Sequence, residues 1–151
     1  MAGEDRLREY LFNNVDGFGH WFRIESHEVS PGVPDLHVTL RGTSRFIELK
    51  HGTRKKPPQF RPTQYVWFKR EVEAGGNPLT LVCIQEEEDP TFALLSGQRS
   101  LDIHTEMVNR PSIEPWTRPV SGCRVWIMKI NWDEFLRLVL NPTLLEGKTN
   151  D

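Results

Sequence analysis

The sequence predicts an α/β fold of the α+β type, a mixed central β-sheet flanked by helices. Three observations predict it. Segments of helical and strand periodicity follow one another as helix, three strands, helix, strand (αβββαβ). Asp35–Leu40 and Arg45–Lys50 alternate polar and apolar residues on either side of a short turn, which reads as a hairpin with one buried face. Pro78–Ile84 is almost continuously apolar, as a strand covered on both faces is.

Each element has a local reason. Leu7, Leu11 and Val15 recur at helical spacing, predicting a helix over Glu4–Asn14 that stops at Asp16-Gly17-Phe18-Gly19. Trp21–Glu25 reads as a first strand. Ser30-Pro31-Gly32-Val33-Pro34 forces a turn, because two prolines and a glycine exclude regular pairing. In the hairpin, Gly42-Thr43 suits a type II′ turn closed by Arg41 and Ser44, which sets His37 opposite Glu48 and Asp35 opposite Lys50. Leu36, Val38, Leu40, Ile47 and Leu49 then face a core, while Asp35, His37, Glu48 and Lys50 share the other face.

A basic, proline-containing loop is expected over His51–Pro62, then a helix over Thr63–Ala74 stopped by Gly75-Gly76. A short strand is read at Phe92–Leu95, an irregular segment over Ser96–Gly122, a last strand over Cys123–Ile130, and a helix over Trp132–Leu140 capped by Asn131. At 151 residues the chain reads as one domain, with a core at 4–85, C-terminal additions at 86–140 and a frayed tail at 141–151.

Composition narrows the class. Hydrophobic content of 37% and charged content of 26%, with a mean hydropathy of −0.52, fit a soluble globular protein. No apolar run approaches the roughly 20 residues that span a bilayer, and the acidic start lacks a secretory segment. An intracellular, cytoplasmic protein without membrane contact is expected. Cys83 and Cys123 lie in predicted strands and read as buried thiols rather than a disulfide.

The net charge of −2 hides an uneven distribution: between Lys50 and Gln64 stand Lys50, Arg54, Lys55, Lys56 and Arg61 without one acid, against the run Glu86-Glu87-Glu88-Asp89. Local sign governs phosphate attraction within a Debye length of about 10 Å, so the basic stretch can meet nucleic acid despite the total.

The chemistry concentrates in Gly32-Val33-Pro34-Asp35 and, thirteen residues after that aspartate, Glu48-Leu49-Lys50. Phosphodiester cleavage needs a metal to polarise the phosphate, a hydroxide near neutral pH, and charge to stabilise the transition state. Asp35 and Glu48 supply two hard oxygen donors and the Leu49 carbonyl a third, which suits Mg²⁺ or Mn²⁺. Lys50 can orient the attacking water or neutralise developing charge. Held against two carboxylates it should stay protonated.

Gly32-Val33-Pro34-Asp35, the hairpin, Phe46-Ile47-Glu48-Leu49-Lys50 and Gln64 in the following helix together resemble the PD-(D/E)XK nuclease superfamily. The likeness is nearest to its small stand-alone virus-type replication-repair (VRR-NUC) members and to Holliday-junction resolvases, and covers about Glu4 to Ile84. The resemblance implies a restriction-endonuclease-like core and a Mg²⁺- or Mn²⁺-dependent endonuclease acting on DNA, with flapped or branched DNA among its substrates. It assigns catalysis to Asp35, Glu48, Lys50 and Gln64, and metal binding to Asp35, Glu48 and the Leu49 carbonyl. A first-helix acid assists the metal in that family, and Glu4 fits that place better than Glu9. Two departures stand out: Lys55-Lys56-Pro57-Pro58-Gln59-Phe60 lengthens the loop before Gln64, and His37 is more polar than its strand position suggests.

Arg54, Lys55, Lys56 and Arg61 are the expected DNA contacts, with His37 as a further candidate. His27 and His51 read as local hydrogen-bonders, and Asp102, His104 and Glu106 as a surface face. Trp67 and Trp126 read as core; Trp116 reads as stacking on a base or packing at an interface. A junction-cutting enzyme would be a two-fold homodimer, encoded by a phage or a bacterium. The competing classes are an inactive nucleic-acid-binding module on the same fold, and a phage structural or interaction protein using Ser96–Gly122 as its interface.

Overall fold

The computed structural model describes residues 3–25, 31–86 and 89–147. Ser30, His27, Glu87 and Glu88 therefore lie outside the described residues. In chain order the elements are α1 (Gly3–Val15), β1 (His20–Arg23), β2 (Leu36–Leu40), β3 (Thr43–Gly52), α2 (Pro62–Glu73), β4 (Leu79–Gln85), β5 (Pro90–Leu95), α3 (Gly97–Asn109), β6 (Cys123–Ile127) and α4 (Trp132–Leu140), with single 3-10 turns at Glu114–Thr117 and Pro142–Leu145. The strands form one mixed sheet in the order β1-β2-β3-β4-β5-β6. Only β3 and β4 run parallel, and α2 is the crossover between them.

Alternation along the strands divides the core in two. Leu36, Val38, Leu40, Ile47, Leu49 and Leu81 point to one face, where Leu7, Leu11 and Val15 of α1 and Phe135, Leu138 and Val139 of α4 cover them. Val82, Ile84, Ala93 and Leu95 point to the other, beneath Phe68 of α2 and Ile103 and Met107 of α3. Cys83 and Cys123 are buried within the sheet and no disulfide joins them. Burial pushes their thiols up, to about 11 and about 12.

The hairpin differs from the expected one by two residues. Leu40 pairs with Thr43, so Arg41 and Gly42 form the loop. Both have positive φ, 49° and 79°, the signature of a type I′ turn, whose twist matches the flanking strands. His37 thus faces Phe46 rather than Glu48, and continuing the register brings Asp35 beside Glu48 rather than Lys50. A slip of two preserves the side-chain faces, whereas a slip of one would have exchanged them.

The segment read as irregular holds helix α3. Its inward face is half polar (Gly97, Arg99 and Ser100 beside Ile103 and Met107), which conceals the apolar period. Ser96 caps it by accepting from Arg99 N–H at 3.1 Å. The Ser100 hydroxyl donates to the Ser96 carbonyl and lies 2.8 Å from Thr80 Oγ1. Asp102, His104 and Glu106 therefore stand on a helix. His104 stacks on Tyr65 at 4.3 Å and Glu106 pairs with Arg99 and Arg118. Trp116 is neither a base platform nor an interface: it is fully buried against Phe60. Trp67 is partly buried and Trp126 buried.

Strand β6 ends at Ile127 because Met128 turns the chain at φ 72°. Strand β3 continues to Gly52, which shortens the loop before α2. Asn131 caps α4 as expected, accepting from Glu134 N–H. The stretch expected to fray packs down as far as Leu145, whose carbonyl accepts from Gly122 N–H at 2.7 Å; residues 148–151 lie outside the described residues.

Candidate active site

The two motifs meet where the first turn of α2 packs against β3. Gly32 has φ 85°, and a Cβ there would collide with the backbone of Thr63 and Gln64. Only glycine lets the first motif lie this close to the start of α2. The Asp35 carbonyl accepts from Ile24 N–H at 2.7 Å, tying it to β1. Its carboxylate Oδ2 accepts from Leu49 N–H at 3.0 Å, which pins the side chain against β3. A residue's carbonyl leaves a strand on the same side as its N–H in such pairing, so the Leu49 carbonyl also points toward Asp35.

Glu48, Lys50 and Gln64 form a buried network, exposed by 2%, 6% and 3%. Gln64 Nε2 donates to Glu48 Oε2 at 2.9 Å. Lys50 Nζ donates to Gln64 Oε1 at 2.7 Å, lies 3.3 Å from Glu48 Oε2 and sits over the Phe60 ring. Gln64 Oε1 also accepts from Arg61 N–H at 2.9 Å, the reciprocal half of a capping box. An amide side chain is needed here because one group must donate to a carboxylate and accept from an amine.

Glu48 Oε1 is buried with no hydrogen-bond partner. Burial pushes the Glu48 carboxyl up to about 8 and the Asp35 charge adds to this, while Lys50 pulls the other way without cancelling it. Glu4, in the first turn of α1, is exposed at the mouth of the same cleft. Partial withdrawal from water raises its carboxyl, offset by Lys50 and reinforced by Asp35. Glu9 is exposed and does not line the cleft. The cleft, about 540 Å³, is bounded by Glu4, Lys50, His51, Thr53, Lys56 and Pro58 among others.

Among the described residues, no group of three or more His, Cys, Asp or Glu side chains is drawn into a ligand set. The donors at hand are two carboxylates, Asp35 and Glu48, and the Leu49 carbonyl, with Glu4 at the rim. This all-oxygen set, and above all the unpartnered Glu48 Oε1, fits a hard cation that keeps several waters.

The remaining candidates are dispersed. Arg54 is tied to Glu86 at 2.9 Å. Lys55, Lys56 and Arg61 are exposed, and of these Lys56 lines the cleft. His51 packs against Gly3 at the start of α1. His37 shares the site's face but makes no hydrogen bond to it; its ring lies between Phe22 and Phe46, and burial holds it below its ordinary value. Phe60, the floor under Lys50, was missed in the sequence, where its one signal is a lone aromatic residue inside a basic loop.

No family model and no curated protein matches the chain. Among solved structures, the chain is similar to Hjc, a Holliday junction resolvase from the archaeal hyperthermophile Archaeoglobus fulgidus, with a TM-score of 0.44 and 17% identity over 63% of this chain and 78% of that one. No described helix is long and apolar enough to cross a membrane.

Proposed function

We propose that the chain is a Mg²⁺- or Mn²⁺-dependent nuclease that hydrolyses DNA phosphodiester bonds as an endonuclease. The observation that supports this is the Asp35–Glu48–Lys50–Gln64 constellation, in which a buried carboxylate keeps one oxygen unpartnered. Asp35, Glu48 and the Leu49 carbonyl would hold the cation, with Glu4 reaching it from the rim. Bound there, a divalent ion polarises the phosphate and lowers the pKa of a water.

The chain's own residues do the rest. Glu48 must give up its proton to bind a cation, so loading is favoured as pH rises toward about 8. Lys50 has three N–H donors and directs two at Gln64 and Glu48; the third is left for a phosphate oxygen or the attacking water. Gln64 keeps Lys50 and Glu48 at fixed separation, so that Lys50 would meet the same phosphate as a cation held by Glu48. Lys55, Lys56 and Arg61 add attraction for the DNA backbone, and Arg54 joins them on release from Glu86.

The same reading includes the PD-(D/E)XK likeness of the motifs, a VRR-NUC type of chain from a phage or bacterium, an intracellular setting and a two-fold homodimer on branched DNA. The test is incubation with circular plasmid and with linear, flapped and four-way DNA in Mg²⁺ or Mn²⁺. Cleavage that is lost in chelator and falls at least about 100-fold in Asp35→Asn is expected. Absence of metal-dependent cleavage on every substrate overturns the proposal. Salt-dependent DNA binding without turnover would identify a binding module instead.

A further inference from the structure

The face of the sheet that carries the candidate site is only half covered. Over β4 and β5 it lies beneath α2, α3 and Trp116. Over β1, β2 and the first half of β3, none of the described elements closes it. Phe22 is 41% exposed, His20, Thr39 and Ser44 are exposed, and His37 and Phe46 are partly so. Phe22 and Phe46 belong to neither core cluster, so the interior does not account for them.

The rings on this open area form a continuous row. Centroids are separated by 5.2 Å from His20 to Phe22, 5.1 Å from Phe22 to His37, 4.9 Å from His37 to Phe46 and 5.1 Å from Phe46 to Trp67. The cause is the strand register, in which Phe22, His37 and Phe46 stand side by side on three adjacent strands. The row begins two residues along β2 from Asp35 and two along β3 from Glu48, about 7 Å away on the same face. Apart from Asp35 and Glu48, the residues placed on this face of β1–β3 (His20, Phe22, His37, Thr39, Ser44, Phe46 and Lys50) include no acid. At helical spacing from Trp67, α2 carries both Arg70 and Glu71, so this border has no net charge.

We infer that this aromatic row is a stacking platform for an unpaired base next to the scissile phosphate, so that the substrate is DNA with a single-stranded flank. The inference rests on the nuclease reading for the position of the phosphate. Aromatic rings bind bases without regard to sequence, because every base offers a π-face. Thr39 and Ser44 supply hydroxyls at the border, and the row itself carries no acid between His20 and Trp67 on β1–β3 other than those of the candidate site.

The test uses the full chain in chelator, so that binding is read without cleavage. Fluorescence anisotropy compares a blunt duplex, the same duplex with an unpaired thymidine flank, and one whose flank is abasic. The wild type should favour the flanked duplex on the order of tenfold, and lose that preference on the abasic flank. Phe22→Ala should remove most of the preference and leave blunt-duplex binding unchanged, while Phe22→Trp should retain it. Equal affinity of the wild type for all three DNAs overturns the inference, as does a loss in Phe22→Ala that is the same on blunt and flanked DNA. A fall in solution mass in Phe22→Ala would make the face a contact between copies, and also overturns it. Failure of the nuclease reading appears elsewhere, as plasmid left uncut in Mg²⁺ and Mn²⁺ whatever the binding results.

Discussion

Replacing Glu48 by glutamine should make the protein more stable and inactive, by an amount that depends on pH. Burial and the neighbouring Asp35 charge raise the Glu48 carboxyl from 4.5 to about 8. The folded state therefore holds a proton that the unfolded state has already released between those values. The unfolded chain binds fewer protons there, so stability is full below pH 4.5 and is lost as pH rises through about 8. At about 1.4 kcal/mol per pH unit, full ionisation inside the fold costs on the order of 5 kcal/mol. Glutamine has nearly the same shape, can still bond to Gln64 and never ionises. Urea unfolding of Glu48→Gln and wild type, both in chelator, should differ least near pH 5, with the difference growing in the variant's favour up to about pH 8 and levelling off above it. Added MgCl₂ at pH 8 should then stabilise the wild type and stabilise the variant far less, because the variant loses one of the two carboxylates that hold the ion. Taking the difference between the two proteins cancels the titrations that are not coupled to Glu48. A flat difference from pH 5 to 9 would show that Glu48 is ionised throughout and that Lys50 outweighs burial, refuting the reasoning.

Three other substitutions probe the supports of the site. Gly32→Ala must adopt φ 85° and meet the backbone of Thr63 and Gln64; it should lose about 2–4 kcal/mol in urea unfolding, and with it the stabilisation by Mg²⁺. Arg41→Asn relieves a non-glycine residue at φ 49° in the hairpin turn, and should raise the melting temperature by about 2–4 °C in a calorimetric scan. Lys55→Ala with Lys56→Ala should weaken binding to all DNA sequences alike and flatten the dependence of log K on log salt by about 0.9 for each phosphate that the lysines no longer neutralise. An unchanged salt slope would take both lysines away from the DNA.

The sequence made the face of each strand residue legible, but not its partner. Alternation in 35–40 and 45–50 places Asp35, Glu48 and Lys50 together under any even register. The turn, however, was decided by Arg41 accepting a left-handed conformation, which arginine composition does not announce. Helix α3 escaped for a related reason. Its buried face relies on Ser96, Ser100 and Arg99 bonding to one another, to Thr80 and to the Pro115 carbonyl, so its pattern is one of hydrogen bonds rather than apolar spacing. The buried Trp116 was unreadable until α3 and Phe60 enclosed it. Gln64 was legible as a residue type in the right helix, whereas its three simultaneous hydrogen bonds needed the parallel β3–β4 crossover to bring α2 across the sheet.

That crossover also explains why the chemistry sits at this point of the sheet. A parallel pair joined by a helix places the N-terminus of the helix beyond the carboxyl end of its first strand, where ligands of such sheets gather. Here the first strand is β3, carrying Glu48 and Lys50, and the helix is α2, which opens with Pro62 and directs Gln64 back at both. The positive end of the helix favours an anion there, and Lys50 reinforces it. Glu48 is the opposing element, a carboxyl raised by burial within a region suited to negative charge. On the nuclease reading, a cation held by Asp35, Glu48 and the Leu49 carbonyl would resolve the opposition by stabilising the Glu48 carboxylate and attracting a phosphate. Among the described residues, Glu48 Oε1 is the one buried side-chain oxygen of the site left without a partner, so on the nuclease reading metal and DNA binding would reinforce one another.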